Sequence, residues 1–413
     1  GTDLDWQKIA AAIAVSRQFS VISGGPGTGK TTTVSRILAM LILLYQQQDI
    51  LPVIKLTAPT GKAAARLNES LAEAVKEIKM DEVKAGFPTQ ASTIHRLLKM
   101  RGAQTGFVHH KHNPLVVDVL IVDEASMVDL PLMSKLVSAL PDHAQLILLG
   151  DKDQLSSVEA GSVLGDICSF MDQGYSNKQL EFIAAETGYQ LKQNQETEHI
   201  NCFADSLCQL KKSYRFDKES GIGQLAKAVN RGEVDKVTHI LAEGHNDIDY
   251  VSQDRAAQGY AVQGCSEIQR SEKLILLAAA AYRAYLQLIV EKAAPIAVIQ
   301  EFNRFRVLCA ARQGKSGVSE INNRIEQQLI LDGFVDISPD DHWYIGRPVM
   351  LSRNNYELQL YNGDIGITMS DTAGRLKVYF DMPDNSIKAI SPGRLNECET
   401  VYAMTVHKSQ GSE

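Results

Sequence analysis

The sequence is short of the residues that mark a covalently stapled or zinc-bound protein. Its 413 residues include six cysteines (Cys168, Cys202, Cys208, Cys265, Cys309 and Cys398), and none forms a C-x-x-C pair. Scattered in this way they read as reduced core thiols, which excludes a disulfide frame or a zinc module. No apolar run is expected to reach the ~18 residues that a membrane span requires. Nothing at the start reads as a secretory signal. The expectation is a cytoplasmic protein without a membrane partner. An excess of basic charge is missing too: 42 Lys and Arg face 49 Asp and Glu, a net charge of −7. That argues against a basic face that coats duplex DNA. It still allows a single strand gripped in a channel by stacking and local positive charge. No additional carboxylate cluster for two-metal phosphodiester cleavage stands out, so no nuclease site is expected. The 44% hydrophobic and 22% charged composition describes a chain able to bury two or three domain cores.

What is present centres on residues 21–33, VISGGPGTGKTTT. Val21 and Ile22 close an apolar run, Gly24 to Lys30 with Thr31 satisfy G-x-x-x-x-G-K-[ST], and residues 31–40 read as a helix. Strand, glycine-rich loop and helix N-terminus in that order form a phosphate-binding loop. Its candidate cradle is Gly25, Pro26, Gly27, Thr28, Gly29, Lys30, Thr31 and Thr32. Glycines let backbone amides turn toward one point, and the helix dipole adds positive potential there. Lys30 is placed for the β- and γ-phosphates and Thr31 for Mg²⁺. The alternative, a glycine turn that merely caps a helix, does not explain the lysine and threonine.

Upstream, Trp6, Ile9 and Ile13 share one helical face. Gln7 on the polar side can read an adenine edge through its amide, or simply be solvated. Downstream, residues 53–57 read as a strand that runs into Pro59, Thr60 and Gly61 and then a helix. Those donors at a strand end suit the phosphates of a polymer or an ordinary βα loop. Ser92 and Thr93 open a further helix containing His95. Residues 99–114, with Phe107 and His109, His110 and His112, read as an exposed hairpin, since the histidines lack cysteine or carboxylate partners at ligand spacing.

Residues 116–122 (VVDVLIV) form a nearly continuous apolar run, as expected of a central parallel strand. The run delivers Asp123, a candidate Mg²⁺ ligand, and Glu124, a candidate for orienting and deprotonating water. QLILLG at 145–150 is a third core strand, leading to Gln154, placed to sense a γ-phosphate. Residues 176–201, rich in Gln, Asn and Glu, read as a linker or mobile surface excursion. Arg215 is a candidate for stabilising charge that develops on a phosphate during transfer, supplied from a second domain across a cleft. Short alternating runs at 348–353, 364–370, 376–381 and 386–391, split by turn residues, suggest a small β-barrel inserted in an α/β domain.

Eight segments taken together, GGPGTGKTTT, TAPTGKAAARL, STIHRLL, VDEASMVD, LLGDKDQLSSVEAG, SYRF, YNGDIG and AMTVHKSQGSE, resemble the superfamily 1 DNA helicases in content and order. The likeness is strongest to their RecD-like branch and covers nearly the whole chain. It implies an α/β fold of two RecA-like P-loop domains with parallel sheets. The first covers 1–205 with a hairpin insertion at 99–115. The second covers 206–335 and 400–413, interrupted by an SH3-like β insertion at 336–399.

The same resemblance implies a 5′-to-3′ DNA helicase or translocase driven by ATP and Mg²⁺. It would work with RecB- and RecC-like subunits in a RecBCD-type helicase–nuclease (exodeoxyribonuclease V) of double-strand break repair and recombination. An ATP-dependent DNA-binding switch or clamp is the alternative. By the same likeness Gln7 reads adenine, Lys30, Asp123, Glu124, Gln154 and Arg215 serve catalysis, and Thr31 with Asp123 holds the metal. Glu413 lies near the ribose, and Pro59, Thr60, Gly61, Thr93, His95, Asn362, Thr405 and His407 touch single-stranded DNA. The family's last motif would follow Glu413, and its partner-docking domain would precede Gln7. Neither is in these 413 residues, so ATP binding with weak hydrolysis is expected of them.

Overall fold

The computed structural model describes residues 4–77, 80–88, 90–99, 106–155, 162–192, 203–214, 220–250, 267–337, 342–355, 357–382 and 386–410. The chain divides into two compact units, Gly1–Tyr250 and Val251–Glu413.

The first unit carries α1 (Trp6–Ser16), β1 (Phe19–Gly24), α2 (Lys30–Gln46), β2 (Ile54–Ala58), α3 (Gly61–Glu77), α4 (Asp81–Gly86), β3 (Ala91–Thr93) and α5 (Ile94–Leu97). It continues with β4 (Val119–Val122), α6 (Leu130–Ser138), β5 (Gln145–Gly150), α7 (Val163–Cys168), α8 (Asn177–Thr187), β6 (Leu207–Leu210), α9 (Gly221–Asn230) and α10 (Val234–Glu243). Six strands form one parallel sheet in the order β3-β2-β4-β5-β1-β6. Successive residues of a strand point to opposite faces, and both faces here are buried. Ile22, Val119, Ile121, Ile147 and Leu149 pack under α1, α2 and α3. Their neighbours Val21, Leu120, Val122, Leu146 and Leu148 pack on the other face with α6 and α7. This explains the unbroken apolar runs. At about 25 cal/mol per Å², such strands contribute more to stability than any polar contact described below.

Three expectations need correction. The break after residue 205 falls too early, because Leu207–Leu210 is the edge strand β6, hydrogen-bonded to β1, and the unit extends to Tyr250. The segment at 176–201 is not a featureless excursion. Ser176 caps α8 by accepting from the Gln179 amide, and Ile183 and Gln179 are buried against the unit. Its polar composition is that of a helix with one narrow apolar face; residues 193–202 lie outside the described residues. The central strand is shorter than 116–122, since Val116 is 79% exposed and pairing starts at Val119. Of the hairpin at 99–115, residues 100–105 lie outside the described residues. The described part closes in a tight turn, with His110 and Asn113 exchanging backbone hydrogen bonds.

The second unit carries α11 (Glu267–Val290), α12 (Pro295–Asn303), β7 (Val307–Cys309) and α13 (Val318–Leu331). There follow β8 (Pro348–Leu351), β9 (Ile365–Ser370), β10 (Leu376–Asp381), β11 (Ile387–Ile390), β12 (Cys398–Thr400), β13 (Ala403–Thr405) and α14 (Val406–Ser409). β7 and β13 pair in parallel. The other five strands form a separate antiparallel sheet, β11-β10-β9-β8-β12, with its own core of Val349, Leu360, Val378, Phe380 and Ile390. This separate antiparallel sheet fits the β insertion expected within the second domain, and its last strand, β12, ends at Thr400.

The expected lack of a long apolar run is also corrected. Glu272–Val290 is long and apolar enough to cross a membrane by length and composition. Within the unit this helix packs through one face, burying Ile275, Ala278, Ala279, Tyr282, Tyr285 and Leu286 beside α12 and α13. The Tyr285 hydroxyl donates to the Gly346 carbonyl and Arg283 pairs with Asp332. About a third of the stretch is buried in this way, and Leu274, Leu276 and Leu277 stay exposed on its other face.

Candidate nucleotide site and strand-end turns

β1 lies between β5 and β6, so the loop that leaves Gly24 opens among the carboxyl ends of parallel strands, where α/β sheets bind ligands. Gly27 (φ 70°) and Gly29 (φ 79°) occupy the left-handed region that only glycine enters cheaply. Gly29 caps α2, accepting from both the amide and the hydroxyl of Thr33. The Thr28 hydroxyl donates to the Gly25 carbonyl at 2.8 Å and stiffens the turn. The Lys30 ammonium donates to the Gly24 carbonyl at 2.6 Å and lies 3.4 Å from that of Gly25, so it is held over the loop. Thr31 is half-buried and Thr32 exposed at the start of α2.

Two carboxylates face this lysine, Asp123 half-buried and Asp151 buried. Asp123 follows β4; burial raises its pKa above the ordinary carboxylate value, against the Glu124 amide that donates to it and the charge of Lys30. Asp151 follows β5; burial raises its pKa likewise, opposed by the Asp153 amide and Lys30. A Cβ built on Gly25 would stand 3.9 Å from Asp151 Oδ2, so this carboxylate lies against the loop. Glu124 adopts φ 51°, ψ 38°, a left-handed conformation costly for a side-chain-bearing residue. Such strain at a strand end is a common mark of a working site. Gln154 reaches Asp151 through its side chain and through a backbone bond to the Asp151 carbonyl. Two desolvated carboxylates beside one ammonium are the donor set that a hard divalent cation favours, so the residues fit a metal-bound triphosphate.

Gln7 packs on the loop itself. The Asp5 carboxylate caps α1, accepting from the amides of Gln7 and Lys8. The Gln7 amide donates to the Thr28 carbonyl at 3.1 Å, and its oxygen accepts from Arg36 at 3.0 Å. The chain after β6 covers the loop from the other side. The Ser213 hydroxyl donates to the Pro26 carbonyl and the Tyr214 amide to that of Gly27. Up to Tyr214, then, the segment expected to come from a second domain belongs to the first unit. Arg215 and Glu413 lie outside the described residues.

The polymer-contact candidates fall at strand ends. Thr60 follows β2, and its hydroxyl caps α3 by accepting from the Ala63 amide; Pro59 and Gly61 flank it. Thr93 ends β3 and caps α5, accepting from the Arg96 amide at 3.3 Å. Thr405 ends β13 and caps α14 in the same way, accepting from Lys408 at 3.3 Å. His95 and His407 are the second residues of those helices, and both are exposed. The His95 ring lies 5.9 Å from that of Phe107, over which the Lys135 ammonium sits at 5.3 Å. Asn362 is exposed in a turn where Gly363 takes φ 93°, its amide bonded to Asn354. Residues 83–117 contain no Asp or Glu, although the chain as a whole is acidic. The turn bearing His95 therefore sits in a locally cationic stretch.

Sequence reasoning missed four contributors. Asp151 was legible in principle, since it follows a buried strand as Asp123 does. Arg36, Ser213 and Tyr214 carried no signal, because only the fold brings them to the loop.

A six-stranded parallel sheet with a glycine loop, its lysine and a strand-end carboxylate pair defines a P-loop NTPase domain of the RecA-like kind. In agreement, residues 7–160 match the family described as AAA domain. Over nearly its whole length the chain is similar to proteins described as the RecBCD enzyme subunit RecD. It is 38% identical over 99% of its length to the RecBCD enzyme subunit RecD of Haemophilus influenzae, covering 63% of that protein. It is 35% identical over its full length to that of Mycolicibacterium smegmatis, covering 65%. An ATP-dependent RecD2 DNA helicase of Deinococcus radiodurans is 27% identical over 95% of this chain and 41% of its own length. The chain thus spans just under two thirds of the RecD subunits it matches.

Proposed function

We propose that this chain is the ATP-driven motor of a DNA helicase that moves 5′-to-3′ on single-stranded DNA beside RecB- and RecC-like subunits in the cytoplasm. The observation that carries the reading is that one rigid sheet presents the phosphate loop after β1 and the threonine-capped turns after β2 and β3 at the same edge. A change at the nucleotide is then felt by the polymer-facing turns without a flexible intermediary.

In this reading the amides of residues 25–31 and the Lys30 ammonium bind the triphosphate, and the Thr31 hydroxyl and Asp123 hold Mg²⁺, which supplies charge neutralisation at the phosphates. The Glu124 carboxylate orients the attacking water and takes its proton. Asp151 holds Gln154 beside the loop, where the amide detects the γ-phosphate. Arg215 completes the catalytic set and Glu413 contacts the ribose. Pro59, Thr60, Gly61, Thr93, His95, Asn362, Thr405 and His407 hold the strand. Hydrolysis is the chain's own chemistry, and nuclease activity is left to the partners.

The test is ATP hydrolysis with and without single-stranded oligonucleotides, beside Lys30→Ala. Stimulation that rises with oligonucleotide length, and a loss of about 10²–10³-fold on removing the lysine, is expected of a motor. Turnover indifferent to DNA length would favour a switch, and turnover that survives Lys30→Ala would refute the assignment.

A further inference from the structure

We propose that Arg36 sets the nucleobase preference of the site by fixing which way round the Gln7 carboxamide points, an inference that rests on the nucleotide reading above. Gln7 has two neighbours of opposite hydrogen-bonding character. The Thr28 carbonyl, 3.1 Å from Nε2, can only accept. The Arg36 guanidinium, 3.0 Å from Oε1, can only donate. Both demand the same orientation. A reversed amide would set its oxygen against a carbonyl and its NH₂ against a guanidinium.

The contact is built into the loop. Gly29 takes φ 79°, and a Cβ there would stand 2.2 Å from Gln7 Nε2, so the amide occupies space that only a glycine leaves open. A carboxamide has two N–H donors and two lone pairs on oxygen. After the bonds to Thr28 and Arg36, one donor and one acceptor remain, in a fixed order. Adenine offers an acceptor at N7 beside a donor at N6, which complements them. Guanine offers acceptors at both N7 and O6. Held by Arg36, the Gln7 oxygen meets guanine O6 as acceptor against acceptor. Released, the amide also samples the reversed orientation, which costs adenine both bonds and only moves the guanine clash from O6 to N7, so the discrimination falls.

Arg36 is exposed on α2, one turn beyond the equally exposed Thr32, so replacing it leaves the core of the unit untouched. Arg36 is a positioning residue, acting through Gln7. The measurement is displacement of methylanthraniloyl-ADP from the 413-residue chain by ATP and by GTP, which requires no turnover. Arg36→Met is expected to reduce the ATP-over-GTP ratio about fivefold, the scale of one charge-assisted hydrogen bond. Arg36→Lys, still only a donor, should keep the ratio, and Gln7→Leu should lose it. A misfolded fraction lowers both nucleotides alike and leaves the ratio unmoved. An unchanged ratio in Arg36→Met, with the ratio lost in Gln7→Leu, overturns the role of Arg36. An unchanged ratio in Gln7→Leu overturns base reading by Gln7 altogether, and so does a wild-type chain without ATP preference.

Discussion

Strands β2 and β3 with helix α3, and strands β7 and β13 with helix α13, are two versions of one arrangement. In each, a strand leads into a helix and a later strand returns parallel to the first, with Ala58 beside Thr93 and Cys309 beside Thr405. An asparagine of the helix accepts from the amide of the returning strand's first residue: Asn68 from Ala91, Asn322 from Ala403. Each returning strand ends in a capping threonine with φ near −73° and ψ near 152°, followed by a histidine two residues on. The turns read Thr-Ile-His-Arg and Thr-Val-His-Lys. What differs is the support. The first pair is the flank of a six-stranded sheet that carries the phosphate loop. The second carries the five-stranded antiparallel sheet between α13 and β13, and among the described residues β7 and β13 pair with no further strand. A strand-end turn thus needs only two parallel strands and an asparagine, while phosphate chemistry needs the wider sheet to bring β1, β4 and β5 together.

Removing the asparagines sharpens this contrast most. Asn322 is buried and both accepts from the Ala403 amide and donates to its carbonyl. Asn322→Leu should cost about 3 kcal/mol in urea unfolding of the second unit, because two buried backbone groups lose partners. Asn68→Leu, at a half-buried site with one bond, should cost about 1 kcal/mol. Equal costs would mean that the wider sheet lends β3 no extra support.

The histidines come next. If the turns are equivalent, His95→Ala and His407→Ala should each weaken binding of a labelled oligothymidine about tenfold, the worth of one stacked base. A loss confined to one of them would break the equivalence, and His95, with Phe107 and Lys135 beside it, would then be the natural survivor.

The smallest effect concerns a carboxylate of the wider sheet, Asp151 after β5. Burial raises the pKa of Asp151, so the folded state holds its proton more tightly than the unfolded chain does. The ionised side chain therefore costs stability, and that cost grows as pH rises from the ordinary carboxylate value through the raised one. Asp151→Asn should lift the melting temperature by about 2–4 °C at pH 7, with the gain fading toward pH 4. Loss of stability at pH 7 would mean that the bonds from Asp153 and Gln154 outweigh the cost of burying the charge. A melting-temperature gain paired with weaker nucleotide binding would mark a site that trades stability for function.

The sequence by itself determined the local pieces. Val21–Ile22, Ile121–Val122 and Ile147–Leu149 are buried on both faces of a parallel sheet, and such strands must be apolar throughout, so they were legible as strands. The loop from Gly24 to Thr31, the carboxylates after β4 and the capping threonines are adjacent in sequence to the elements they serve, and adjacency is what a motif records. The tertiary structure decided what long-range pairing decides. β6 joins β1 across the whole first unit, which moved the boundary from 205 to Tyr250 and set Ser213 and Tyr214 on the phosphate loop. Helix α8 hides in a polar stretch because its buried face is Gln179, Ile183 and Thr187, of which Ile183 alone is apolar. Arg36 meets Gln7 because α1 and α2 lie side by side, and no spacing between residues 7 and 36 encodes that contact.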